Sequence, residues 1–198
     1  MGTENVTLFL AMLAVIAEGA VLVALVVWAC FRRNPRVVAA RGVLVDGFSP
    51  VAVQLALCVA LIATAGSLYF SEVSHFLPCR LCWYQRIAMY PLVPILAVAV
   101  WRRDPKVRYY ALPLTVVGGL ISTYHVLLEH FPSLETSVCE AANPCTLIWV
   151  RRFGYLTIPS MAWSAFALIT VLLLVAGAGE RRAARYEEEP DTVLEEVR

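Results

Sequence analysis

Two cysteine pairs carry the reactive chemistry of this chain: Cys79 with Cys82, spaced as Cys-x-x-Cys, and Cys139 with Cys145, spaced as Cys-x5-Cys. Sulfurs at the first spacing close a small, exchangeable disulfide, and the same spacing suits zinc. The second pair brackets Glu140-Ala141-Ala142-Asn143-Pro144, whose Asn-Pro step signals a turn, so a short loop brings its sulfurs together easily. Three chemistries stand open on spacing alone: two permanent disulfides, redox exchange between the pairs, or one four-cysteine zinc site.

The elements that hold these cysteines are membrane spans. The chain has 198 residues and is 60% hydrophobic, well above the roughly 45–50% of an average soluble domain. Five segments approach the length of about 20 apolar residues that a crossing helix needs: Val6 to Phe31, Val51 to Phe70, Cys82 to Trp101, Tyr109 to Leu128 and Tyr155 to Ala176. The continuous apolar part of the third, Ile87 to Trp101, spans only about 22 Å as a helix, too little to cross unless it begins near Cys82. That start puts Cys82 at a helix N-terminus, where free N–H groups favour a thiolate, with Arg86 one turn deeper on the same face. Pro91 and Pro94 remove helical donors and predict a kink below the dithiol. No cleavable leader is expected, because Met1 to Thr7 lacks a basic n-region and the apolar run behind it is too long.

Basic residues near span ends predict orientation. Arg32, Arg33, Arg36 and Arg41 follow span one, Arg102, Arg103, Lys106 and Arg108 follow span three, and Arg181, Arg182 and Arg185 follow span five. These faces belong inside, leaving the N-terminus and both cysteine loops outside, where oxidation withdraws thiols from zinc. The net charge of +1 gives no signal for nucleic acid. Residues 1–41 are expected to form an extra N-terminal transmembrane helix and basic cytoplasmic loop, residues 42–177 a four-helix membrane domain, and residues 178–198, with Glu187 to Asp191, a disordered cytoplasmic tail. Cys30 and Cys58 read as inert core residues, and His75 and His130 as solvated loop residues. Glu18, about twelve positions into an otherwise apolar span, needs a partner: either a hydrogen bond to a core helix or contact with another membrane subunit.

Pro78-Cys79-x-x-Cys82-Trp83-Tyr84-Gln85-Arg86, then Met89-Tyr90-Pro91, then the second pair ahead of Gly154-Tyr155-Leu156-Thr157-Ile158-Pro159, resemble the disulfide bond formation protein B family, DsbB, in order and context. The resemblance runs from about Val51 to Ala176, and the short Cys139 to Cys145 interval is similar to the compact Gram-positive relative, BdbC. It implies an all-α polytopic membrane protein, a four-helix transmembrane bundle of DsbB type plus one additional N-terminal transmembrane helix.

The resemblance further implies a thiol:quinone oxidoreductase in a bacterial cytoplasmic membrane. Its partners would be a DsbA-like, thioredoxin-fold extracytoplasmic dithiol oxidase and the membrane lipid with its pool of ubiquinone or menaquinone; neither metal nor nucleic acid is implied. Cys139 would form the mixed disulfide, Cys145 would pass electrons to Cys79, and Cys82 would face the quinone. Arg86 corresponds to the family's quinone-site arginine, where a cation stabilises the charge of the reduced ring. His125 would stand close to the quinone as a proton donor, and Trp83, Tyr84 and Trp149 could stack on the ring or anchor the chain at the interface. Two alternatives differ from this reading. A vitamin K epoxide reductase-like enzyme lacks the Trp-Tyr-Gln-Arg continuation, and a non-enzymatic membrane subunit would keep both disulfides permanently closed.

Overall fold

A computed structural model describes residues 2–30, 35–104, 106–135, 138–139 and 143–196. Among the described residues seven α-helices form, in chain order α1 Thr3–Cys30, α2 Pro35–Phe48, α3 Ala52–Leu68, α4 Arg80–Met89, α5 Leu92–Arg102, α6 Arg108–His130 and α7 Ile158–Glu196. Among the described residues no strand forms, only an isolated bridge between Arg152 and Leu156. The protein is an all-α polytopic membrane protein, with five helical stretches long and apolar enough to cross a bilayer.

Its apolar surface is arranged for lipid. Ile16, Val23, Ile87 and Leu120 all stand well exposed, while the bundle interior is built from α3, α5, α6 and α7 around Leu92, Leu96, Phe166, Ile169 and Leu173. Small residues let the helices approach: Ala56, Ala60 and Ala111 are fully buried, and Gly118 of α6 lies directly against the ring of Phe166.

Three expectations change. The basic stretch after α1 is helical, forming α2 before the second crossing; Arg32 and Arg33 lie outside the described residues. The segment expected to be a disordered tail continues α7 to Glu196. Its Ala, Arg and Glu content favours helix, and its first turns are tied by Glu180 to Arg108 (2.7 Å) and by Arg182 to Asp46 (2.9 Å). Cys58 faces outward from α3 rather than into a core; the side chain of Cys30 lies outside the described residues.

The third crossing is broken where the prolines predict. α4 ends at Met89, Tyr90 and Pro91 form a turn, and α5 resumes at Leu92. Glu18 finds partners within the chain: its Oε1 accepts from Ser164 Oγ on α7 (2.9 Å) and its Oε2 from Tyr155 OH (2.8 Å).

Candidate functional site

The start of α4 positions the first cysteine pair. α4 begins at Arg80, two residues before the expected start, so Cys79 rather than Cys82 is the N-cap, and its Sγ accepts from the Cys82 backbone N–H (3.3 Å). Cys82 lies in the first turn with its sulfur 2.8 Å from that of Cys79. The thiol of Cys82 as donor, assisted by His125, holds Cys79 well below the ordinary thiol range although its burial opposes this. The thiolate-stabilising position therefore falls to Cys79.

The second pair is closed as a disulfide, Cys139–Cys145, with Cα atoms 5.8 Å apart. Cys145 is buried and packs with Cys79, Leu81 and Leu128, while Cys82 and Cys139 flank this cluster. Asn143, in the predicted turn, donates from Nδ2 to the carbonyl of Pro78 (3.1 Å). That bond ties the loop of the second pair to the residue just before the first.

His125 of α6 stands at the junction of the two pairs. Its Nε2 lies 3.0 Å from the Cys145 carbonyl and 3.7 Å from Cys79 Sγ, and Gln85 Nε2 donates to its Nδ1 at 3.1 Å. With Nδ1 accepting, the proton of the neutral ring sits on Nε2 and points at both cysteines. Gln85 sets this tautomer. Cys79, Cys82 and His125 present ligand atoms within 4.8 Å of one another, but two thiolates on tetrahedral zinc at about 2.3 Å would stand about 3.7 Å apart. The sulfurs here are closer than that.

A larger cleft of about 290 Å³ opens on the other side of Cys82, between α1, α3, α4 and α7. Its polar lining groups come from Ser67, Cys82, Gln85, Arg86 and the Tyr90 hydroxyl; the remaining lining is largely apolar. Arg86 donates from Nε to Ser67 Oγ and from Nη2 to the Ser67 carbonyl, both at 3.0 Å, and Tyr90 OH donates to the same hydroxyl (3.3 Å). No carboxylate pairs with Arg86 among the described residues. Phe70, Phe76 and Trp149 line one wall as a stack, with ring centroids 5.9 Å and then 5.0 Å apart.

Trp83, Tyr84 and His125, expected beside a quinone, are not among the residues that line this cleft. Trp83 and Tyr84 do not line it and are exposed, Trp83 lying under the Arg86 guanidinium at 5.1 Å. The helix period explains this: Gln85, Arg86 and Met89 follow Cys82 by three, four and seven residues and share its face, whereas Trp83 and Tyr84 turn away by about 100° and 200°. His125 lies in a smaller cavity of about 30 Å³ with Cys79, and Cys82 borders both spaces. Ser67 leaves no local signal, since its role depends on α3 meeting α4, and the turn signal at Asn143 does not report its bond to Pro78.

A helical membrane bundle holding an exchangeable dithiol beside a loop disulfide defines a membrane protein of disulfide chemistry. The family model described as "Disulfide bond formation protein DsbB" matches residues 49–176, and the chain belongs to this family. It is 47% identical over 116 residues to "Disulfide bond formation protein C" of Bacillus subtilis, covering 58% of this chain and 84% of that one. It is 38% identical over 130 residues to "Probable disulfide formation protein C 2" of Bacillus cereus, covering 66% and 94%. A third relative, "Probable disulfide formation protein" of Oceanobacillus iheyensis, is 45% identical over 118 residues, covering 59% and 81%. No solved structure matches the chain significantly.

Proposed function

We propose that this protein reoxidises an extracytoplasmic, thioredoxin-fold dithiol oxidase and delivers the electrons to membrane quinone, in a bacterial cytoplasmic membrane with its cysteine loops outward. The observation that carries the reading is the position of Cys82, which borders both the small cavity with Cys79 and His125 and the apolar cleft with Arg86. A quinone suits that cleft by its apolar walls, its aromatic stack and Arg86, which no carboxylate among the described residues pairs.

The partner's thiolate attacks Cys139, the Cys139–Cys145 bond breaks, and Cys145 leaves as thiolate; the partner's second thiol then attacks the mixed disulfide, releasing Cys139 and the oxidised partner. Cys145 next attacks Cys79 of an oxidised Cys79–Cys82 pair, and Cys139 resolves that bond. The relay ends with Cys139–Cys145 closed and the first pair reduced. His125 Nε2–H is the donor at this junction, stabilising sulfur charge on Cys79 while Gln85 holds the ring. Cys82, bordering the cleft, then gives up its proton, Cys79 thiolate closes onto it, and the electron pair leaves through the cleft. Quinone, when bound, would supply the sink for the two electrons, together with the Cys82 proton and one further proton from water, and Arg86 with Ser67 holds positive charge where the reduced ring would develop negative charge.

Cys145→Ser tests the relay: its unpaired Cys139 opens the disulfide of an oxidised partner, and the mixed disulfide so formed has no Cys145 to displace that partner. Membranes carrying this variant are expected to yield a covalent adduct with a thioredoxin-fold protein, lost on reduction. If a normally expressed variant traps none, the relay is wrong. Cysteines of the wild-type protein that resist both a thioredoxin-like dithiol and quinone would instead identify permanent staples.

A further inference from the structure

α1 lies outside residues 49–176, which match the family, yet it is not a separate anchor. It contributes Leu10, Leu13, Ala14, Ile16, Ala17 and Ala20 to the wall of the larger cleft. Leu10 lies so close to Gly66 that a Cβ there would meet its Cδ1 at 2.8 Å, and the next residue is Ser67, which holds Arg86. α1 thus reaches the polar groups of the site.

Polar contacts fix α1 between Thr3 and Glu18. Thr3 Oγ1 lies 3.3 Å from Ser74 Oγ, Arg152 donates from Nη2 to Thr7 Oγ1 at 2.7 Å and pairs with Glu4 at 3.1 Å, and Glu18 accepts from Ser164 and Tyr155. A helix that merely tethered the chain to lipid would need none of these bonds. They hold α1 at one register and one rotation against α7 and the loop before it.

The cleft is also longer than a ring. Its lining runs from Leu10 to Ala20 on α1 and from Ile158 to Leu168 on α7, about 15 Å along each helix at 1.5 Å per residue. The polar groups gather around Arg86, Ser67, Gln85 and the Tyr90 hydroxyl, and the remaining lining is largely apolar. Such a site takes a molecule with a polar head and an apolar chain.

Resting on the quinone reading above, we propose that α1 completes the acceptor site, with Leu13, Ala14 and Ala17 forming the wall that holds the isoprenoid tail while the ring lies at Arg86. α1 then sets affinity for tailed acceptors and has no part in thiol exchange. Ala14 and Ala17 are the specificity positions, since each is buried and small, and a larger side chain there would occupy the tail's path.

The test uses the full chain in membranes with two photoreactive azidoquinones, one carrying an isoprenoid tail labelled near its end and one without a tail. The tailed probe is expected to label residues 10–20 of α1 together with α3 or α7, and the tail-less probe only the Arg86 end. Labelling of α3, α4 or α7 by the tailed probe without any of α1 would overturn the role of α1 and leave the quinone reading standing; labelling nowhere in the cleft would overturn both. Ala17→Phe gives the second arm. It is expected to raise the KM for the tailed quinone about tenfold relative to the KM for a tail-less quinone, and dithiothreitol still reduces Cys139–Cys145. Equal effects on tailed and tail-less acceptors, or none on either, would refute the assignment.

Discussion

Gln85→Leu isolates the contact that orients the junction between the two cysteine pairs. Gln85 and His125 are both buried, and their bond at 3.1 Å gives Nδ1 its partner. Leucine keeps the bulk but leaves a buried ring nitrogen without a donor, at a cost of about 1–3 kcal/mol. The ring can relieve this by moving its proton to Nδ1, which removes the donor from Nε2 facing Cys79 and the Cys145 carbonyl. Either outcome weakens the junction by that amount, or about 5- to 150-fold in the rate of transfer between the pairs. Single-turnover quenching with a thiol-alkylating reagent, read by mass spectrometry, follows Cys139–Cys145 and Cys79–Cys82 separately. The expected variant reduces its loop disulfide at the wild-type rate and accumulates the reduced loop pair while Cys79–Cys82 stays oxidised. Transfer at the wild-type rate in a folded Gln85→Leu protein would refute the tautomer argument.

Arg86→Lys keeps the charge but loses the two-pronged hold on Ser67, and Arg86→Met loses both. Steady-state quinone reduction should show a KM for acceptor about tenfold higher in the lysine variant, with a further fall in kcat in the methionine variant. Cys79 is held below the ordinary thiol range, so between its native and unfolded values the native reduced protein binds one proton fewer than the unfolded one. The resulting stability is fully present above the ordinary thiol pKa and is lost as pH falls through the depressed value. In that window reduction of Cys79–Cys82 takes up one proton for two electrons, and its potential should fall by about 30 mV per pH unit; redox titration finding about 59 mV per unit around neutrality would contradict this. Gly118→Ala forces a Cβ into the ring of Phe166 and should destabilise the bundle by about 1–3 kcal/mol, seen as a lower Tm in detergent with the cysteine chemistry intact.

What could be read from the sequence is what local rules control. Span length forced the third crossing to begin near the dithiol, and Pro91 located its break, because both depend only on residues in that helix. The helix starts two residues earlier than span length places it: cysteine is not among the usual N-cap residues, yet Cys79 fills the role with its sulfur. Trp83 and Tyr84 drew attention by type, whereas the 100° step per residue already favours Gln85 and Arg86 for the face of Cys82. The tail's charge run outweighed its helix-forming residues in the compositional reading, and the pairing of Glu180 with Arg108 is a contact that composition does not carry. Ser67, Asn143 and the seat of α1 depend on segments far apart in sequence, and no local pattern reports them.

The bond from Ser164 to Glu18 joins residues 146 positions apart, linking the first crossing helix to the last. At about 5–20 residues per second of synthesis, Glu18 waits about 7 to 30 s for this partner. Throughout that interval the nascent chain holds an ionisable side chain in its first crossing helix without its eventual partner, in surroundings that penalise its charge. The cleft shares this dependence, because α7 supplies one of its walls. Both cysteine pairs are therefore synthesised before α7, the helix that brings Ser164 to Glu18 and one wall to the space beside Cys82.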